Sequence, residues 1–175
     1  MKVIFLDRDG VVNQEVGYLH KIKDFVFIDG VFSACQAFQK LDFKIIIITN
    51  QSGIARGYYQ HSDFDKLNIW MINKFKQNKV DILAVFYCPH APEDGCDCRK
   101  PKAGMFVEAQ KKHGIDMSNS WMIGDKENDI TAANTAGIKN TILVRSGHKI
   151  NEKQSNARFI LDSIHQSKTI ISSPY

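Results

Sequence analysis

The stretch IFLDRDGVVN, residues 4–13, ends an apolar run in two aspartates one residue apart, Asp7 and Asp9. Two carboxylates that close repel, and burying either one unpaired is costly. A cation would offset both effects. A carboxylate at such a place can attack phosphorus as a nucleophile, and a second can protonate the leaving oxygen and later deprotonate water. Phosphoryl transfer also needs positive charge around the equatorial oxygens. Three further positions offer what that chemistry requires: Asp125 in GDKEND as a third acid for Mg²⁺, Lys100 in CRKPK as an ammonium, and Thr49-Asn50 as hydroxyl and amide. Lys126, directly after Asp125, is in place for a phosphate contact. Asp129 has three readings: a metal ligand, a helix cap, or a group that orients the lysine.

A second cluster lies in CPHAPEDGCDCRK. Cys88, His90, Cys96 and Cys98 make three thiolates and an imidazole within eleven positions, a complete tetrahedral Zn²⁺ set with no open position for water. That argues for a structural ion. The Pro, Asp and Gly residues between these ligands form little core of their own, so a metal would hold the loop in one shape. The loop leads into Arg99 and Lys100 and would carry both cations to the site. Cys35 lies apart, on the apolar face of a predicted helix, and reads as core.

These residues need elements to position them. Residues 2–6, 43–49, 82–87, 121–123 and 141–144 read as short, nearly continuous apolar strands. Between them lie helical patterns over 31–41, 63–77 (capped by Ser62), 102–113 (stopped by Gly114) and 129–136 (closed by Gly137). The alternation predicts an α/β fold: a doubly wound, Rossmann-like parallel sheet with helices on both faces. The tail from about Ile150 is expected to add an edge strand or a docked helix, with 172–175 loose. Ligands in such sheets bind beyond the carboxyl ends of the strands, which is where Asp7, Thr49-Asn50 and Asp125 fall.

Composition narrows the function classes. The chain has 175 residues, 43% of them hydrophobic, which suits one domain over 1–175 with a full core. Its net charge of +4 is spread along the chain and leaves no nucleic-acid footprint. Charge appears at Asp7, too early for a secretory segment, and no apolar run approaches a membrane span. A cytoplasmic monomer acting on a small anionic molecule, with neither nucleic acid nor membrane as partner, is the expectation.

DRDG, the strand ending in TN, the lysine before a proline and GDKEND, in that order, resemble the haloacid dehalogenase superfamily of phosphatases. Its histidinol-phosphatase-like subgroup is similar further, through GY, TNQSGIARGYY, CPH…CDCRKPKAGM and GDKENDITAA, over residues 2 to about 147. The resemblance implies Asp7 as nucleophile, Asp9 as proton donor, and Thr49 and Lys100 as stabilisers of the phosphoryl group. Asp7, Asp9 (through its backbone carbonyl) and Asp125 would bind Mg²⁺. Substrate would be bound by Glu15, Val16, Gly17, Tyr18, Asn50, Gln51, Ser52, Arg99 and Lys126, with Cys88, His90, Cys96 and Cys98 on Zn²⁺. The cap would be minimal, supplied by the zinc loop and the segment after Val12. The implied substrate is a sugar bisphosphate; histidinol phosphate is the alternative. A non-enzymatic, zinc-stabilised binding module is a third reading, and it leaves Asp7, Asp9, Lys100 and Asp125 unexplained.

Overall fold

The computed structural model describes residues 1–172. Its centre is a six-stranded, wholly parallel sheet: β1 (Val3–Leu6), β2 (Lys44–Asn50), β3 (Ile82–Cys88), β4 (Trp121–Gly124), β5 (Asn140–Val144) and β6 (Phe159–Leu161), in the order β3-β2-β1-β4-β5-β6. The helices are α1 (Val31–Lys40), α2 (His61–Gln77), α3 (Gly104–His113), α4 (Glu127–Thr135) and α5 (Ile164–Ser172). The doubly wound architecture expected from the alternation is the one observed.

Side-chain alternation along each strand divides the core into two layers. Ile4, Leu6, Ile45 and Ile47 face the layer of α1, α2 and α5, where Val31, Phe38, Leu67, Met71, Phe75 and Ile164 are buried. Val3, Phe5, Ile46 and Ile48 face the layer of α3 and α4, against Met105, Phe106, Ala109 and Ala133. Because both faces of β1 and β2 are covered, VIFL and IIII can be apolar without interruption.

The chain runs outward from β1 to β2 and β3, then returns to place β4 on the other side of β1. Connections therefore diverge above β1, opening a crevice where β1, β2 and β4 end.

Three local expectations change. Helix α2 begins at His61 with Gln60 as its N-cap, not Ser62, because the Asp63 carboxylate reaches back to accept the Gln60 N–H at 3.0 Å. Helix α4 begins at Glu127, two residues early, because Asp129 accepts the Lys126 N–H at 3.0 Å. The tail supplies both an edge strand and a helix, β6 and α5, and Ser172 is the last residue of α5 rather than loose chain. The remainder of the expected loose segment, 173–175, lies outside the described residues. No helix among the described residues is long and apolar enough to cross a membrane.

Candidate active site

Asp7 follows the last residue of β1, and its N–H donates to the Ile123 carbonyl of β4 at 3.0 Å. Gly10 then turns the chain with φ +88, and a Cβ there would come within 2.4 Å of an Asp125 carboxylate oxygen. Only glycine fits both the angle and the approach. The turn thus packs the end of β1 directly onto the end of β4.

Asp7 and Asp9 do not share one cage. The Asp7 carboxylate accepts from the Lys100 ammonium at 2.8 Å. Asp9 accepts instead from Arg8 at 2.9 Å, Asn13 at 3.0 Å and Gln51 at 3.1 Å. The expected repulsion between the two acids is relieved by separate donors. Ligand oxygens of Asp7, Asp125 and Asp129 lie within 4.8 Å of one another. The third carboxylate of this acid cluster is therefore Asp129; the Asp9 side chain stands outside it, which leaves its backbone carbonyl as the group the resemblance implies.

Asp129 takes more than one of the roles open to it. Oδ2 caps α4, while Oδ1 pairs with Lys100 Nζ at 2.5 Å. Lys100 also donates to the Ile48 carbonyl at 2.9 Å. Burial alone would lower the lysine pKa, but Asp129 and Asp7 outweigh it and hold the ammonium above the usual lysine range. Asp7 moves the other way for an acid. Burial pushes its pKa well above the usual aspartate value, Lys100 partly offsets this, and Asp129 and Asp125 add to it.

Thr49, almost fully buried, accepts a hydrogen bond from Gln51 Nε2 at 2.8 Å. Asn50 forms a reciprocal pair with the Lys100 backbone: its Nδ2 donates to the carbonyl and its Oδ1 accepts from the N–H, each at 3.1 Å. That carboxamide holds the lysine segment rather than pointing free toward a phosphoryl group. The Gln51 carboxamide is likewise engaged, by Asp9, Thr49 and the Tyr59 hydroxyl at 2.6 Å. Burial raises the Tyr59 pKa to about 12, so the phenol is a neutral donor to Gln51.

A crevice of about 360 Å³ opens above these groups. Of the residues read from the sequence, Asp7, Asp9, Glu15, Gly17, Tyr18, Thr49, Asn50, Gln51, Ser52, Arg99, Lys100, Lys126 and Asp129 line it. Val16 is exposed and does not line it, and Asp125 is fully buried beneath it. The Tyr18 ring meets the Tyr58 ring edge-on at 4.6 Å. Arg8, Arg56, Tyr59 and His148 also line the crevice and were not singled out from the sequence. Arg56 and Tyr59 belong to TNQSGIARGYY, so the motif held a signal for them. His148 lies outside every motif.

The residues present fit a hard cation. Asp125 Oδ1 is buried and has no hydrogen-bond partner, which suits an oxygen that a metal ion would engage. The thiol cluster fits a soft ion equally well. Cys88 Sγ lies 3.6 Å from both His90 Nδ1 and Cys96 Sγ, Cys98 Sγ lies 3.5 Å from Cys96 Sγ, and His90 Nδ1 lies 3.2 Å from Cys98 Sγ. A tetrahedral zinc site with Zn–S bonds of about 2.3 Å has edges of about 3.7 Å between sulfurs.

This parallel sheet, with acids from β1 and β4 facing a lysine brought in by the loop after β3, is the framework of the HAD-like hydrolases. A family model described as HAD-hydrolase-like matches residues 97–167. The D-glycero-beta-D-manno-heptose-1,7-bisphosphate 7-phosphatase of Vibrio cholerae is 47% identical over 169 residues, covering 92% of this chain and 91% of the relative. The D-glycero-alpha-D-manno-heptose-1,7-bisphosphate 7-phosphatase of Photorhabdus laumondii is 46% identical over 164 residues, 90% of each. The crystal structure of D,D-heptose 1,7-bisphosphate phosphatase from B. bronchiseptica, complexed with magnesium and phosphate, superposes with a TM-score of 0.86 at 30% identity, over 98% of both chains. The chain belongs to the D-glycero-D-manno-heptose-1,7-bisphosphate 7-phosphatase family.

Proposed function

We propose that this protein removes the 7-phosphate of D-glycero-D-manno-heptose 1,7-bisphosphate in a Mg²⁺-dependent reaction, leaving heptose 1-phosphate for nucleotide-activated heptose synthesis. The observation that carries the reading is Asp7 at the base of a polar crevice, paired with Lys100 beneath a rim bearing Arg56, Arg99 and Lys126. A nucleophile needs the first two, and a second phosphate on the same substrate needs the cationic rim.

In the first step an Asp7 carboxylate oxygen attacks phosphorus and the bond from phosphorus to the sugar oxygen breaks. Asp9 gives its proton to that leaving oxygen. Arg8, Asn13 and Gln51 fix the Asp9 carboxyl group in one orientation for this transfer. In the second step Asp9 takes a proton from water as the water attacks phosphorus. The bond to Asp7 breaks and inorganic phosphate leaves. Lys100 and the Thr49 hydroxyl stabilise charge on the phosphoryl oxygens in both steps. Mg²⁺, held by Asp7, Asp125 and the Asp9 carbonyl, with Asp129 adjacent, would neutralise negative charge on that group when bound. In this reading the protein acts in the cytoplasm as a single-domain monomer, with a structural Zn²⁺ in its loop.

The test is phosphate release with Mg²⁺ on both anomers of the bisphosphate and on histidinol phosphate at matched concentrations. One heptose anomer is expected to exceed histidinol phosphate by at least about tenfold in kcat/KM. A preference for histidinol phosphate would overturn the substrate and leave the mechanism standing. The rim makes a separate prediction. Arg56 is half-exposed and only loosely paired with Glu93, at 3.8 Å, so its guanidinium is available to a second phosphate. Arg56→Ala is expected to raise KM for the bisphosphate about tenfold, the cost of one charged hydrogen bond, and to leave p-nitrophenyl phosphate hydrolysis unchanged in steady-state assays.

A further inference from the structure

His148 lies in the turn after β5, far in sequence from any residue of the acid cluster, yet it touches Asp125 twice. Its backbone N–H donates to Asp125 Oδ2 at 2.9 Å, and its ring Nδ1 lies 2.6 Å from the same oxygen. A carboxylate oxygen can only accept, so Nδ1 carries the proton in this contact. Both donors converge on Oδ2, while Oδ1 of the same group is buried and has no hydrogen-bond partner. The asymmetry is built by the backbone. A Cβ on Gly147 would sit 2.1 Å from Asp125 Oδ2, so the chain lies directly against the carboxylate. Ser146 Oγ donates to the Gly10 carbonyl at 2.7 Å, tying the same segment to the turn after the nucleophile.

We propose that His148 is a positioning residue: it fixes the Asp125 carboxylate through Oδ2 so that Oδ1 is presented to a divalent cation. This rests on the Mg²⁺ reading above. Carboxylates that ligate metals work best when their other oxygen is held by a donor, because free rotation of the group would otherwise have to be arrested on binding. The backbone N–H supplies half of that restraint in any variant; the imidazole supplies the half that mutation can remove. Glu15 Oε2, 4.0 Å from Nδ1, is the other acidic group facing the ring.

The experiment is calorimetric titration of Mg²⁺ alone into zinc-loaded, Mg²⁺-free protein, for wild type, His148→Ala, His148→Asn and Asp125→Asn. His148→Ala is expected to weaken Mg²⁺ binding by about tenfold or more. The melting temperature of the Mg²⁺-free protein is expected to fall only modestly, since the backbone N–H still donates to Asp125 and the ring is partly exposed, so affinity is compared on folded protein. His148→Asn places an amide N–H where Nδ1–H stood and is expected to restore most of the affinity. Equal affinity in wild type and His148→Ala, or an Asn variant no better than Ala, would overturn the proposal alone. Absence of Mg²⁺ binding in wild type, or binding unaffected by Asp125→Asn, would overturn it together with the metal reading.

Discussion

Asp7→Asn is expected to abolish phosphate release, by on the order of 10⁴-fold or more, while the fold persists. A carboxamide cannot form the acyl-phosphate bond on which both half-reactions depend. Persistence of the fold follows from the charge balance of the site. Three carboxyl groups, Asp7, Asp125 and Asp129, lie together, and the Lys100 ammonium pairs with two of them, Asp7 and Asp129. After the substitution Lys100 keeps Asp129 at 2.5 Å and the Ile48 carbonyl at 2.9 Å. The Asp7 pKa is raised in the folded protein, chiefly by burial. The sign of the linkage is then fixed. The native state holds that proton more tightly than the unfolded chain, so ionising Asp7 costs stability as pH rises above the unfolded value of about 3.9. At neutral pH the metal-free wild type carries this cost and Asp7→Asn does not. The variant should therefore melt at or above the wild-type temperature in Mg²⁺-free buffer, with the difference shrinking as pH falls toward 4. Chelators are unsuitable here, because they would also strip the thiol cluster. Normal turnover in Asp7→Asn would sink the nucleophile assignment, and loss of the circular dichroism spectrum would sink the stability argument.

The same balance separates what could be read in the sequence from what could not. Asp7, Thr49, Lys100 and Asp125 stand at strand ends or in short loops beside them, and parallel-sheet topology alone brings those ends together. Spacing is then enough to group them. For Asp129 the sequence offered capping and lysine pairing as alternatives, and what it could not show is that both hold at once, because they use different oxygens of one group. Arg8 was not singled out from the sequence, where its only distinction is a place between two acids. Its near-complete burial and its contacts with Asp9 and the Leu19 carbonyl depend on how residues 10–19 fold back over β1. His148 reaches Asp125 from another strand end, through a loop with no recognisable pattern, and only the path of residues 146–148 reveals it. The misplaced cap of α2 has a local cause. Gln60, Ser62 and Asp63 all offer polar groups near the helix start, and the Asp63 side chain decides among them by reaching back to the Gln60 N–H.

Cys96→Ser is expected to cost the protein its zinc and most of its activity together. Apart from the Asn50 pair at Lys100 and backbone hydrogen bonds at Pro89 and Asp97, the loop between Cys88 and Lys100 has little to hold it. Its short 3₁₀ turn, Pro92–Asp94, buries no residue, and the Lys102–Asp97 ion pair is solvent-exposed. Exposed pairs contribute little, about 1 kcal/mol or less. The loop nevertheless ends in Arg99, which donates to the His90 carbonyl at 3.3 Å, and in Lys100, whose Nζ must reach Asp7. In the proposed reading, metal coordination in this loop would be coupled to the placement of the Lys100 ammonium against Asp7. Cys96 is the informative position. Burial would raise its pKa, but N–H groups of Arg99 and Cys98 and the neighbouring thiols outweigh this and hold it below the usual thiol range, so it is the readiest thiolate of the set. A serine hydroxyl does not replace it on zinc. Metal analysis should show one zinc per chain in wild type and much less in Cys96→Ser, with kcat reduced by about tenfold to a hundredfold as Lys100 loses its fixed position. Cys35→Ala is the control: Cys35 is buried in α1, away from the cluster, and its removal should leave zinc content unchanged. Stoichiometric zinc in Cys96→Ser would refute the ligand set. Full zinc loss with unchanged turnover would show instead that Asn50 and the acid pair alone are sufficient to hold Lys100 in place.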